Sequence, residues 1–322
     1  MATYRRPFLI YNPFAGKLLR NKGLIPRVRE TLRRNRVDVS LMETDGPGSA
    51  PDIARQCIHD GADLILVAGG DGTVNEVVNG MVGSPVPLGV LPCGTANVLA
   101  NELGLATHPN RVAATLADLV PARISLGMML NEADRQPRHF LLMAGAGFDA
   151  RIVYQVHGGI KNAVGKVAYW IAGFSQVGQR LPEFDVDVDD KHYRCSFALA
   201  SRVRNYGGDL EIARNVSLLD QCFELVLFEG ASTFPYVRYF LGVIFNRLTG
   251  MDGVTILHAK SARFTHPTDD RVHVQVDGED AGLLPVSVSI VPRALTLLAP
   301  PKYCQRQTVF AAERVWTPSP TA

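Results

Sequence analysis

Apolar residues recur along the first hundred positions in two alternating rhythms. Runs at 7–11, 37–43, 64–68 and 87–91 are short, partly β-branched and bounded by turn residues, which predicts strands buried in a sheet. Between them the apolar positions fall three and four apart: across 24–34, at Ile53, Ala54, Cys57 and Ile58, at Val77, Val78 and Met81, and across 95–103. That spacing predicts helices, the second of them capped by Ser49 or Asp52. Four strand–helix units in succession predict an α/β domain with a doubly wound, mostly parallel sheet. Its ligand site should lie at the carboxyl ends of the strands. After one more helix near 110–119 the rhythm changes. Short strands at 124–130, 140–143, 184–188, 193–200, 224–228, 256–265, 272–276 and 286–290 predict a mainly antiparallel β-sandwich, interrupted by helices at 164–177 and 234–248. The expected division is an α/β domain over 1–124, a sandwich over 125–304 and a flexible tail over 305–322.

Composition narrows the class. At 322 residues, 47% hydrophobic and 20% charged, the chain can build two cored domains. A net charge of +2 gives no general case for a nucleic-acid partner. Cys57, Cys93, Cys195, Cys222 and Cys304 are spread out and form no CxxC pair, which fits a reducing compartment without zinc. The N-terminus enters a strand without a signal-type apolar region, and no window approaches the roughly 18–20 apolar residues of a membrane span. The expectation is a cytoplasmic protein that could attach at the inner face of a membrane.

The candidate chemistry begins at Leu64, in LILVAGGDGTVNEVVNG. A buried strand runs through Gly69, Gly70 and Gly72 into a helix, so backbone N–H groups and a helix N-terminus converge on one spot suited to phosphate. Glycine is expected there for close approach and for a φ > 0 turn. A carboxylate at Asp71 would repel that phosphate unless a cation lies between them, which points to Mg²⁺. A second glycine stretch, LPCGTANVLA at 91–100, repeats the design, with Gly94 in the turn and Thr95 as the expected helix cap. Near the other end, Asp277-Gly278-Glu279 reads as a hairpin turn with two carboxylates at an exposed strand end.

With NPFAG (12–16), Thr44, GGDGTVNEVVNG (69–80), LPCGTANVLA, NYGGD (205–209), SLLD (217–220) and VDGE (276–279) in this order, the chain resembles the bacterial diacylglycerol kinase catalytic domain family. Sphingosine and ceramide kinases are relatives of that family. The resemblance implies an ATP-dependent lipid kinase acting on a lipid alcohol such as diacylglycerol, with a place in phospholipid biosynthesis. It implies nucleotide contacts from Asn12, Pro13, Phe14, Ala15, Gly16, Thr44, Gly70, Asp71, Gly72, Thr73, Val74, Asn75, Glu76 and Thr95. Glu279 resembles the general base, and Asp71 a water-linked holder of the Mg²⁺ on ATP. A second, structural Mg²⁺ is implied at Ser217, Asp220 and Cys222, although Gln221 stands where relatives commonly carry glycine. Val98 likewise replaces an acid common in many relatives.

Two stretches bear on the lipid. Residues 17–36 carry eight Lys or Arg and one acid, Glu30, a face that either docks on anionic headgroups or is simply solvated. The aromatic run 234–245 either lines an acyl-chain cleft or membrane interface, or packs against the sandwich, and packing is the default. A homodimer stays open. The rival readings are an NAD kinase, which shares GGDGT, and a non-catalytic nucleotide or lipid sensor.

Overall fold

The computed structural model describes residues 4–133, 135–148, 181–206, 211–232, 234–245, 247–266 and 271–305. The helix expected at 164–177, residues 207–209 of the NYGGD stretch and the chain beyond 305 lie outside the described residues.

The first part alternates as the rhythm predicts: β1 (Pro7–Tyr11), α1 (Gly16–Arg20), α2 (Leu24–Arg34), β2 (Ser40–Glu43), α3 (Ala50–His59), β3 (Leu64–Gly69), α4 (Asp71–Met81), β4 (Pro87–Pro92), α5 (Val98–Leu103) and α6 (Pro109–Ala114). The four strands pair in parallel in the order β2-β1-β3-β4. Alternate residues of β3 serve opposite faces, because strand side chains have a period of two. Leu64, Leu66 and Ala68 join Leu24, Val28 and Leu32 of α2. Ile65 and Val67 join Ala54 and Cys57 of α3 and Val77, Val78 and Met81 of α4. The chain leaves β1 toward β2 and crosses back to β3 on the other side, so a crevice opens at the carboxyl ends of β1 and β3.

The second part contains β5 (Val120–Asn131), β6 (Pro137–Phe140), β7 (Met143–Gly147), β8 (Phe184–Val188), β9 (Lys191–Cys195), β10 (Phe197–Ser201), β11 (Phe223–Phe228), α7 (Phe234–Ile244), β12 (Val254–Ala259), β13 (Ser261–Thr265), β14 (His273–Val276), β15 (Glu279–Leu283) and β16 (Val286–Ala299). Six of the strands form an antiparallel sheet in the order β12-β11-β10-β7-β14-β15. It packs on a second layer in which β16, β13, β8 and β9 continue the first domain's sheet beyond β4.

Three expected strands are each two strands in different layers. The run 193–200 is split at Ser196 into β9 and β10, 256–265 at Lys260 into β12 and β13, and 140–143 spans the step from β6 to β7. Both layers bury their inner faces, so the apolar pattern continues across the corner and conceals it. β16 also runs past the expected end at Ile290. Its first half pairs with β13 and its last residues pair in parallel with β4. Residues 296–297, assigned from sequence to the sandwich, therefore belong to the first sheet, and the expected boundary at 124 falls inside β5.

Candidate functional site

The glycine loops meet backbone to backbone. A Cβ on Gly94 would lie 2.5 Å from Gly70 Cα, and one on Gly69 would lie 2.6 Å from Thr73 Cβ. The Cys93 and Gly94 N–H groups both donate to Gly69 O, at 2.9 and 3.2 Å. None of Gly69, Gly70, Gly72 and Gly94 has positive φ, which corrects the expected turn geometry. Close approach of the two loops, rather than backbone handedness, is what excludes a side chain here. The β1 loop closes the third side. Asn12 Nδ2 donates to Thr73 Oγ1 at 3.1 Å, and Asn12 Oδ1 accepts from the Phe14 N–H at 2.9 Å.

Around this crevice stand most of the expected nucleotide residues. Phe14 is 65% exposed, Ala15 is buried, and a Cβ on Gly16 would be 3.7 Å from Thr95 Oγ1. Thr44 is buried just past β2, where its N–H donates to Tyr11 O at 3.0 Å. Glu76 accepts from the Gly48 N–H at 3.0 Å and ties in the loop after β2. Val74 is turned into the core, which leaves only its main chain near the crevice. The first turn of α4 has no intrahelical acceptors for its leading N–H groups, which face the same space.

Asp71 occupies an unexpected position. Its carboxylate accepts from the Val98 N–H at 3.0 Å and the Leu99 N–H at 3.2 Å, so it caps α5 from another element. Burial pushes its carboxyl up, and those N–H groups pull it back down. The expected cap, Thr95, is instead exposed. Asn97 takes the cap position in the left-handed region, φ 47°, and its side chain bonds both the N–H and the carbonyl of Gly94 at 2.8 Å.

The hairpin joining β14 to β15 delivers the other carboxylates. Asp277 and Gly278 have φ of 48° and 81°, the signs of the two-residue turn that Asp-Gly predicts. Glu279 is exposed, and its Oε1 lies 3.3 Å from where a Cβ on Gly72 would stand. Asp277, expected at an exposed strand end, is instead half-buried and joins the two domains. It accepts from the N–H groups of Leu141, Leu142 and Met143, each at 2.9 Å, and from Asn75 Nδ2 at 2.6 Å. Burial raises its carboxyl to about 6 against these donors. Asn79, one turn after Asn75, bonds both main-chain groups of His139, at 3.0 and 2.9 Å. The role of this Asn75, Asn79 and Asp277 clamp was missed from sequence. Two asparagines four apart on one face of a helix were its available signal.

Ser217, Asp220 and Cys222 are not part of this crevice. They lie behind α5, beside a buried polar cluster. Glu102 of α5 accepts from the Arg204 N–H at 3.1 Å and from Tyr303 at 3.4 Å, and burial raises its carboxyl. Asp220 Oδ2 accepts from the Ser217 N–H at 2.8 Å. The Cys222 carbonyl, an implied Mg²⁺ ligand, accepts a hydrogen bond from the guanidinium of the fully buried Arg202.

On the sandwich, α7 buries Tyr236, Tyr239 and Val243, while Leu241, Ile244 and Phe245 are 47, 46 and 67% exposed. The packed helix expected by default therefore also has an apolar outer face.

Residues 6–129 match the diacylglycerol kinase catalytic domain, and residues 143–299 match the YegS C-terminal NAD kinase beta sandwich-like domain. The chain is 28% identical over 286 residues to the diacylglycerol kinase of Bacillus subtilis (strain 168), covering 87% of this chain and 92% of that one. It is 28% identical over 305 residues to that of Staphylococcus aureus (strain Newman), covering 92% and 93%. A crystal structure of a diacylglycerol kinase from Bacillus anthracis str. Sterne has the same fold, with a TM-score of 0.72 at 20% identity over 94% of this chain and 99% of that one. The matched catalytic domain and the diacylglycerol kinase relatives make the chain a kinase with an alcohol acceptor. The chain belongs to the bacterial diacylglycerol kinase catalytic domain family and is a lipid kinase.

Proposed function

We propose that this chain transfers the γ-phosphate of Mg-ATP to the hydroxyl of a lipid such as diacylglycerol. The observation that carries the proposal is the Glu279 carboxylate standing over Gly72 in the glycine loop. Asn12, Pro13, Phe14, Ala15, Gly16, Thr44, Thr95 and the 70–76 segment frame the nucleotide. Glu279 orients the lipid hydroxyl and takes its proton as the new O–P bond forms. The bond from phosphorus to the β,γ-bridging oxygen breaks, and ADP leaves. Mg²⁺ arriving with the nucleotide would neutralise the phosphate oxygens. Both oxygens of Asp71 already accept N–H bonds, so this carboxylate fits a metal held through water better than one it ligates directly.

No described helix is long and apolar enough to cross a membrane. Attachment at the surface of a bilayer, where the acceptor lipid resides, is supported by the apolar outer face of α7 and the exposed Arg238 and Arg247 beside it. The test is transfer of labelled γ-phosphate from Mg-ATP to detergent-dispersed lipid alcohols, with NAD and no acceptor as controls. Label in an organic-soluble phospholipid supports the reading. Label on NAD would make the chain an NAD kinase, and nucleotide binding without any transfer would make it a sensor.

A further inference from the structure

The loop after residue 216 is closed by protein groups. Arg202 is fully buried, and its guanidinium donates to three carbonyl oxygens from two segments. Nη1 reaches Cys222 O, while Nη2 reaches Leu218 O at 2.8 Å and Ser125 O at 3.1 Å. The planar fork of arginine suits several fixed acceptors at once, and its charge is permanent. Further loop donors are engaged as well. The Ser217 N–H goes to Asp220, and the Leu219 N–H to Ser217 Oγ at 3.1 Å. Tyr303 bonds the Leu218 N–H at 3.3 Å and Glu102 of α5 at 3.4 Å, linking the loop to the helix that Asp71 caps.

Magnesium requires near-octahedral oxygen coordination and holds its ligands at about 2.0–2.1 Å. An ion at Cys222 O would have to displace the guanidinium or share one carbonyl with it, two cations in an interior that screens them poorly. We propose that the Arg202 guanidinium is the resident cation of the second domain, taking the Cys222 carbonyl oxygen that a structural Mg²⁺ would otherwise hold. Folding of the sandwich and its junction with α5 are then independent of divalent metal at Ser217, Asp220 and Cys222. Any metal requirement of the kinase arises with the nucleotide alone. The inference holds whichever lipid is the acceptor.

The test uses the full chain without nucleotide. Thermal unfolding is followed in EDTA and in millimolar MgCl₂, and Mn²⁺ binding is read by electron paramagnetic resonance, for the wild type, Asp220→Asn and Arg202→Met. The expected result is a wild-type Tm that is the same in EDTA and Mg²⁺, with Mn²⁺ binding unchanged by Asp220→Asn. Arg202→Met should unfold at a lower temperature and regain part of the loss when Mg²⁺ is added. A wild-type Tm that rises with Mg²⁺, together with Mn²⁺ binding lost in Asp220→Asn, overturns the proposal. So does an Arg202→Met protein as stable as the wild type in both buffers. If Arg202→Met fails to fold, the wild type and Asp220→Asn still decide.

Discussion

At the scale of single residues, Gly72 shows how little room the site leaves. It lies in the first turn of α4, where alanine is the better helix former by roughly 1 kcal/mol. The added methyl group would nonetheless meet Glu279 Oε1 at 3.3 Å. Gly72→Ala should therefore leave Tm unchanged or slightly raised while lowering kcat at least several-fold, as steady-state kinetics beside a melting curve would show. If both fall together, the contact serves the fold rather than the chemistry. Gly94→Ala should fail differently. Its Cβ would meet Gly70 Cα at 2.5 Å, so stability and activity should drop together. These glycines were legible in the sequence as a motif. The reason for them was only half legible, because whether a glycine is needed for handedness or for contact depends on what lies opposite it. Arg202 gave even less warning. An arginine after the apolar stretch Phe197-Ala198-Leu199-Ala200 reads as a strand end meeting solvent, yet its partners lie at Ser125, Leu218 and Cys222.

Between elements, two carboxylates hold the site in shape. Asp71, at the head of α4, caps α5 with both oxygens. Asparagine offers one acceptor and an amino group that faces a second donor. Asp71→Asn should thus cost about 1.5–3 kcal/mol per lost bond, read as a lower denaturation midpoint, and should disorder the 94–97 loop beside the crevice. Asp277 makes a pH prediction. Its carboxyl is raised from 3.8 to about 6, so between those values the folded chain keeps a proton that the unfolded chain has released. The corresponding stability is full below the lower value and is lost as pH rises through about 6. A shift of about two units corresponds to roughly 3 kcal/mol. The stability of the wild type relative to Asp277→Asn should therefore be greater at acidic pH than at neutral pH, and a flat difference across urea titrations would contradict the assignment. Helix and strand positions were largely legible, since α2 covers the same residues the periodicity predicts. The bonds between elements were not, because Asn75 and Asp277 are far apart in the chain and no local pattern links them.

At the scale of the whole molecule, β16 joins the two functions. One strand is paired with β13 in the sandwich and with β4 beside the glycine loops, so the glycine-loop crevice and one layer of the sandwich share a sheet, while the hairpin bearing Glu279 lies in the other layer and is tied to α4 through Asn75 and Asp277. The apolar pattern predicts an end at Ile290, just before Val291-Pro292-Arg293. In the structure these residues form an irregularity in the pairing with β5, with Arg293 at φ 50°, after which the strand continues. The exposed Leu241, Ile244 and Phe245 predict a further property of the intact protein. Replacing Leu241 and Phe245 by serine should reduce co-sedimentation with anionic vesicles several-fold while leaving Tm unchanged. Undiminished sedimentation would remove α7 from the membrane contact.

In the proposed reaction Glu279 takes the proton of the lipid hydroxyl at a site formed against Gly72. This role is tested most directly by the turnover of Glu279→Gln with saturating Mg-ATP and dispersed diacylglycerol, with nucleotide affinity measured on the same preparation. Turnover should be lower by roughly two to four orders of magnitude with nucleotide affinity and Tm preserved. Turnover equal to that of the wild type would contradict it.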